Sequence, residues 1–455
     1  MPRDLPGLYW DEDRKRYFPL SARPAAQSQA GPSNLGRSGA SRTPSAQASA
    51  TGQSLQSSGT GTHTPPRKRR RLELLPGGTL GRGLVGQGLR SSINYAQARA
   101  HMDKVMTHSL STLSEGKPFC HGDFMFSSMD VSVAADGSFV ASTGDKGGWL
   151  QTYTTDKRGY PYGGSRELYL GSDVTAVCRS DTHRLAVSFG PSSKIAVENI
   201  AEDAEIWNII SIGDHRCHDV QTAHLYGKSL VLGAARRGIL LSDIQAGWSF
   251  DVLPTGSDVL SVFQTEHLIY TGSRNGAIQC FDKRLQSRQK GAELFGGRYR
   301  AGTRSITHLA PVRAGELLVG TIKGDLELLD LRFARHTTPL VQYAGHVNAY
   351  STRLGIAVSP DASLLFAAGQ DNRVRAWALR SGEPLLAPPP GAGAHPEHPG
   401  LLSHAFGDAV TALCVTEGGG GGGAGAGGTT LWAAAGKEIH RFWLGQRLGE
   451  GVLGY

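Results

Sequence analysis

Cysteine is scarce in this chain of 455 residues: Cys120, Cys178, Cys217, Cys280 and Cys414 are scattered, odd in number, and form no Cys-x-x-Cys pair. This argues against a disulfide framework or a zinc ribbon, and for a reducing compartment. Long apolar runs are also missing, so no membrane span is expected, and Met1-Pro2-Arg3-Asp4 does not read as the start of a signal peptide. There is no Gly-x-Ser-x-Gly elbow, no phosphate-binding loop and no His-Glu-x-x-His. Neither an enzyme nor a cofactor is therefore expected. His395 with His398, and His215-Arg216-Cys217-His218, lack the further ligands a metal site needs, so no metal is expected.

Glycine is plentiful, at 61 residues, and so is positive charge, with a net +8. The charge is uneven. Residues 1–116 hold 16 of the 47 Lys and Arg but 7 of the 39 Asp and Glu, a balance of +9; the rest hold 31 against 32, a balance of −1. Basicity belongs to the N-terminal part, so direct nucleic-acid binding is not expected of the remainder.

That N-terminal part divides into three. Residues 1–20 form an aromatic motif, with Tyr9 and Trp10 on one side of an acidic turn and Tyr17 and Phe18 on the other, as in a hairpin. Residues 21–92 read as a basic linker, disordered at least over 21–66, where Ser, Ala, Gly, Gln and Pro leave little to bury. Within it, Arg67, Lys68, Arg69, Arg70 and Arg71 follow Pro65-Pro66 and match a nuclear-import signal; the alternative is a solvated charge run or a weak phosphate-binding tail. Over 93–116, Ile93, Ala96, Ala100, Val105 and Met106 recur at helical spacing.

Residues 117–455 repeat. Short apolar strands end or turn at Thr154, Asn199, Asp243, Asp282, Asp330, Ala378 and Trp443, at spacings of 45, 44, 39, 48, 48 and 65. Before them lie strands such as Phe139–Gly144 and Leu364–Gly369, which end in small residues. Repeats of about 40–45 residues with four strands each are the signature of WD-type propellers. The expected fold is all-β: a seven-bladed WD-repeat propeller, with Lys117–Phe126 supplying the outer strand of the last blade. The widest spacing contains the low-complexity stretches 387–400 and 417–428, expected only to lengthen connections.

Two consecutive units close on Asp-x-Arg, as Asp282-Lys283-Arg284 and Asp330-Leu331-Arg332. Asp at a strand end commonly caps the next turn through its own backbone. A repeated Arg projecting from neighbouring blades instead suggests a bidentate clamp for acidic or carbonyl groups of a partner.

Three stretches carry a family resemblance. They are Leu5–Leu20 (Leu-Pro-Gly-x-Tyr-x-Asp followed by Lys-Arg-Tyr-Phe); Ser273-Arg274-Asn275-Gly276 through Arg284; and Tyr343-Ala344-Gly345-His346-Val347-Asn348 with Gly369-Gln370-Asp371 and Trp377. On these the chain resembles the WD-repeat substrate receptors of the cullin-4 RING ubiquitin ligase, the damaged-DNA-binding-adaptor- and cullin-4-associated factors, and within them the factor 4 branch. The resemblance implies a non-catalytic receptor whose partners are the ligase's large adaptor and an unidentified target protein. It assigns adaptor docking to Asp282, Arg284, Asp330 and Arg332. Phe281 and Leu329 stand where the family box has Trp, and Trp377-Ala378-Leu379-Arg380 lacks the Asp. It also makes His346, Asp371 and Trp377 fold residues of a WD hydrogen-bond network in which Ala368 replaces the usual hydroxyl. The alternative is a nuclear WD scaffold of a chromatin or RNA-processing complex without a ligase link; a propeller enzyme is a third. A nuclear location, with a cytoplasmic pool, is expected.

Overall fold

The computed structural model describes residues 8–11, 16–19 and 115–444, apart from 135–136, 157–160, 202–205, 214–216, 247–248, 286–290, 301–303, 336–337, 388–399 and 418–428. The chain divides into two units at Gly78/Thr79. In the first, Leu8–Asp11 pairs antiparallel with Arg16–Pro19, placing Tyr9 opposite Phe18 and Trp10 opposite Tyr17. This is the hairpin expected from the aromatic motif. The linker, the import signal and most of the expected helix lie outside the described residues; Glu115 and Gly116, at that helix's end, are already strand.

The second unit is a seven-bladed β-propeller of antiparallel four-stranded sheets. Blade 1 runs from Phe126 to Tyr169, blade 2 from Val174 to Ser211, blade 3 from Thr222 to Leu253 and blade 4 from Val259 to Glu293. Blade 5 spans Ile306–Gln342 and blade 6 Ile356–Leu385. Blade 7 takes three strands from Val410–Leu444 and its outer strand from Glu115–His121, which pairs with Glu438–Leu444. One sheet thus joins the two ends of the repeat region and closes the ring. The closing strand is the one expected, beginning two residues earlier and stopping short of Phe126, which opens blade 1.

The first strand of each blade lies innermost, beside the first strands of neighbouring blades. The second strand has a sheet on either face. Leu364–Ala368, for example, is buried at every position, so it reads as an unbroken apolar run rather than an alternating one. Outer strands are exposed, as over Pro161–Tyr169. In blades 4, 5 and 6 they shrink to two residues, which leaves little free edge for stray pairing.

Crowding near the axis explains the small residues at the ends of the second strands. A Cβ added at Gly144 would strike Val174, one at Gly233 Val259, and one at Gly272 Ile306, each on the first strand of the next blade. Hydroxyls join inner strands that share no ladder. Ser127 Oγ donates to the Val174 carbonyl at 2.7 Å, and Thr411 Oγ1 to that of Phe126 at 2.9 Å.

In blade 6 the WD network is split into separate bonds. His346 Nε2 lies 3.1 Å from the Ala368 carbonyl, so backbone replaces the missing hydroxyl. Trp377, fully buried, donates Nε1–H to the Ala344 carbonyl at 2.9 Å. Asp371 turns to Arg375, at 2.9 and 2.7 Å.

Candidate functional site

In blades 2 to 5 the turn after the third strand is set by backbone. The residue following the strand's last Asp or Asn donates its N–H to the turn between the first two strands: Ile200 to Thr182, Ile244 to Lys228, Lys283 to His267, and Leu331 to Gly315, at 2.8–3.0 Å. The Asp or Asn side chain then accepts the N–H two residues on. This holds for Asn199 with Ala201 (3.1 Å), Asp243 with Gln245 (2.7 Å), Asp282 with Arg284 (3.0 Å) and Asp330 with Arg332 (2.9 Å). The side-chain oxygen, of Asn in blade 2 and of Asp in blades 3 to 5, is therefore a turn device common to four blades. The arginine is what sets blades 4 and 5 apart.

Each arginine folds back on its own Asp. Arg284 Nε and Nη2 reach Asp282 Oδ1 and Oδ2 at 2.9 and 2.6 Å; Arg332 Nε and Nη2 reach Asp330 at 2.9 and 2.7 Å. Two parallel charge-assisted bonds fix the guanidinium plane. The Arg284 guanidinium holds the Asp282 carboxyl down to about 2, and Arg332 holds that of Asp330 below its ordinary value. Both Arg side chains remain open to solvent, at 66% and 69% exposure. Gly315, with φ +82°, lets the Arg332 stem pass: a Cβ there would lie 3.3 Å from Arg332 Cγ.

The expected clamp thus takes another form. The fork edge of each guanidinium is already occupied; Nη1 and the flat face remain for a partner. Beside each fork stands an exposed apolar residue, Leu285 (54%) and Phe333 (58%). The docking residues implied by the family resemblance do not include these two, although Asp-Lys-Arg-Leu and Asp-Leu-Arg-Phe show them directly after Arg. Blades 4 and 5 are neighbours sharing a core in which Ile278 and Cys280 meet Ile306, Leu317 and Leu329, so the two forks occupy equivalent places at one end of the propeller. Phe281 and Leu329, standing where the family box has Trp, are buried at 6% and 0% exposure, so packing beneath each turn is kept. In blade 6, Ala378 supplies no carboxylate, and exposed Arg380 has no such fork. Among the described residues no group of His, Cys, Asp and Glu is placed to hold a metal ion.

No family model matches the chain. Over 160 residues, 34% of the chain, it is 31% identical to DDB1- and CUL4-associated factor 4 of Bos taurus, of which the match covers 31%. Over 155 residues, 33% of the chain, it is 31% identical to DDB1- and CUL4-associated factor 4-like protein 2 of Homo sapiens, of which 37% is covered. The chain thus spans about a third of the length of these curated relatives. Among solved structures, the WD40 β-propeller domain of Doa1 superposes with a TM-score of 0.51 at 16% identity, covering 73% of this chain and 98% of that one. The chain therefore has the WD40 propeller fold and, over a third of its length, resembles DDB1- and CUL4-associated factor 4 and its like.

Proposed function

We propose that this protein is a non-catalytic substrate receptor that docks on the large adaptor of a cullin-4 RING ubiquitin ligase and brings a target protein to it. A WD40 propeller is a protein-interaction scaffold, and the names of the two relatives point to this ligase. One observation carries the reading: two neighbouring blades present the same Asp–Arg fork with an exposed apolar residue beside it, at the same strand end. A flat, pre-oriented guanidinium next to an apolar tooth suits the centre of an interface, where Arg is a frequent hot spot. The Asp would act by aiming the Arg.

The test is co-purification of the adaptor with the full chain and with Arg284→Ala/Arg332→Ala. At about 2 kcal/mol per hot-spot arginine, the pair is worth roughly a thousandfold in affinity. Both side chains are exposed, so thermal unfolding should hardly change. Wild-type binding by a folded double variant would overturn the docking assignment, and failure of the wild-type chain to capture the adaptor would favour a nuclear scaffold without a ligase link. For location, we propose that Arg67–Arg71 direct nuclear entry. A fluorescent fusion with all five replaced by Ala should lose nuclear accumulation; unchanged accumulation removes the import role.

A further inference from the structure

The connection from blade 4 to blade 5 holds a strained residue beside a fork. Phe295 has φ +57°, and Gly296 and Gly297 follow at +56° and +68°. Among the described residues no other three in a row are left-handed, and of the five non-glycine residues with positive φ only Phe295 is buried. Glycine enters this region freely. A large L-residue does so at a cost, and stays only where surrounding contacts enforce it.

The enforcing contacts lead to the fork of blade 5. Phe295 donates its N–H to the Ala334 carbonyl. Ala334 closes the one-turn 3₁₀ helix Leu331–Phe333, which carries Arg332. The Phe295 ring, 1% exposed, belongs to the core cluster of Leu317 and Leu329, against which Leu331 and Ala334 pack from either side of Arg332. A few residues on, Arg298 and Tyr299 bind Glu327 in the third strand of blade 5. The connection therefore grips blade 5 both before Asp330 and after Arg332. The fork of blade 4 is not held this way: among the described residues no backbone hydrogen bond joins the connection from blade 3 to the turn after Asp282.

We propose that Phe295 is a positioning residue for the fork of blade 5, its left-handed backbone holding the 3₁₀ turn and with it Arg332. The left-handed turn lets one residue send its N–H to Ala334, its ring into the core and the onward chain to Glu327. The usual φ would swing ring and onward chain away from that arrangement and give up one of the three contacts. Positioning of Arg332 is independent of what docks there; its effect on a partner rests on the adaptor reading above.

The test uses the full chain and two variants. Phe295→Ala removes the ring. Gly296→Val, at an exposed position with φ +56°, penalises the left-handed backbone and leaves the core side chains in place. Hydrogen exchange is read on two segments. One contains Leu331 and Arg332, whose amides bond the Gly315 carbonyl and Asp330 Oδ1; the other contains Lys283 and Arg284, with the matching bonds in blade 4. Each variant should speed exchange of the first at least about tenfold and leave the second unchanged. Each should also weaken adaptor capture by up to about thirtyfold, the share of one fork. That loss should add nothing to Arg332→Ala and add in full to Arg284→Ala. Unchanged exchange of the first segment, equal speeding of both, or a loss that adds as fully to Arg332→Ala as to Arg284→Ala overturns the proposal. If the wild type captures no adaptor, the docking reading fails and exchange alone decides on Phe295. Thermal unfolding checks each fold, and Phe295→Leu replaces a variant that does not fold.

Discussion

Glu327→Ala should destabilise the propeller by about 3 kcal/mol, the lower end of the cost of breaking a buried ion pair. Glu327 lies in the third strand of blade 5, three residues before Asp330, and is 1% exposed. Its carboxylate accepts from Arg298 Nη2 at 2.6 Å, from Arg298 Nε at 3.1 Å and from Tyr299 Oη at 2.6 Å. Truncation would leave the buried Tyr299 hydroxyl without this acceptor, at about 1–3 kcal/mol. It would also strip a charge partner from Arg298, whose 23% exposure lets water recover part of the loss. With an unfolding entropy of about 2.1 cal/mol/K per residue over roughly 330 residues, 3 kcal/mol lowers Tm by about 4 °C. Glu327→Gln keeps the volume and an acceptor for Tyr299, and should lose about half as much. Differential scanning calorimetry on the full chain reads both. A Tm for Glu327→Ala within about 1 °C of wild type would refute the reasoning, because the carboxylate would then not be joining the blade 4–5 connection to blade 5.

Carboxyl NMR should find Asp282 titrating near 2, and Arg284→Ala should raise it part of the way towards the ordinary carboxylate range, because the backbone N–H of residue 284 still donates to the carboxylate. Because the folded value is depressed, any stability from the fork is present above the unfolded value and lost as pH falls through the folded one; an ordinary midpoint in the wild type would show that the fork does not form in solution. His224 and His308, on the inner strands of blades 3 and 5, are held down to about 4, chiefly by removal from water. Between pH 6.5 and 4 the unfolded chain takes up protons that these two groups refuse when folded, so stability should fall as pH drops through that window. Thermal melts across it check this, and a fall as steep in His308→Asn as in wild type would exclude His308 as a contributor.

Much of the architecture was legible because a blade is a local object. Four short strands separated by tight turns leave their mark at a fixed spacing, and a second strand covered on both faces must be an apolar run such as Leu364–Ala368. Of the seven positions used to find the repeat, six lie within third strands; Asp243 falls two residues beyond its own, which ends at Leu241. The pairing of Tyr9 with Phe18 was readable for the same reason, since a short turn leaves few registers.

Amino-acid order alone determined the number of blades, the closing strand and the places where Asp-x-Arg would stand. Only the tertiary structure decided what those arginines do with their hydrogen bonds. The Asx turn brings the guanidinium back within reach of the carboxylate two residues earlier, an outcome of φ and ψ that residue identity does not spell out. Tertiary structure alone also placed Arg298 and Tyr299 on Glu327 and set Arg353 against Asp173 across 180 positions of sequence. Each of these joins residues far apart in the chain or on different blades. Sequence periodicity records how a strand meets its own neighbours; ring closure determines which distant side chains come to share an end of the propeller.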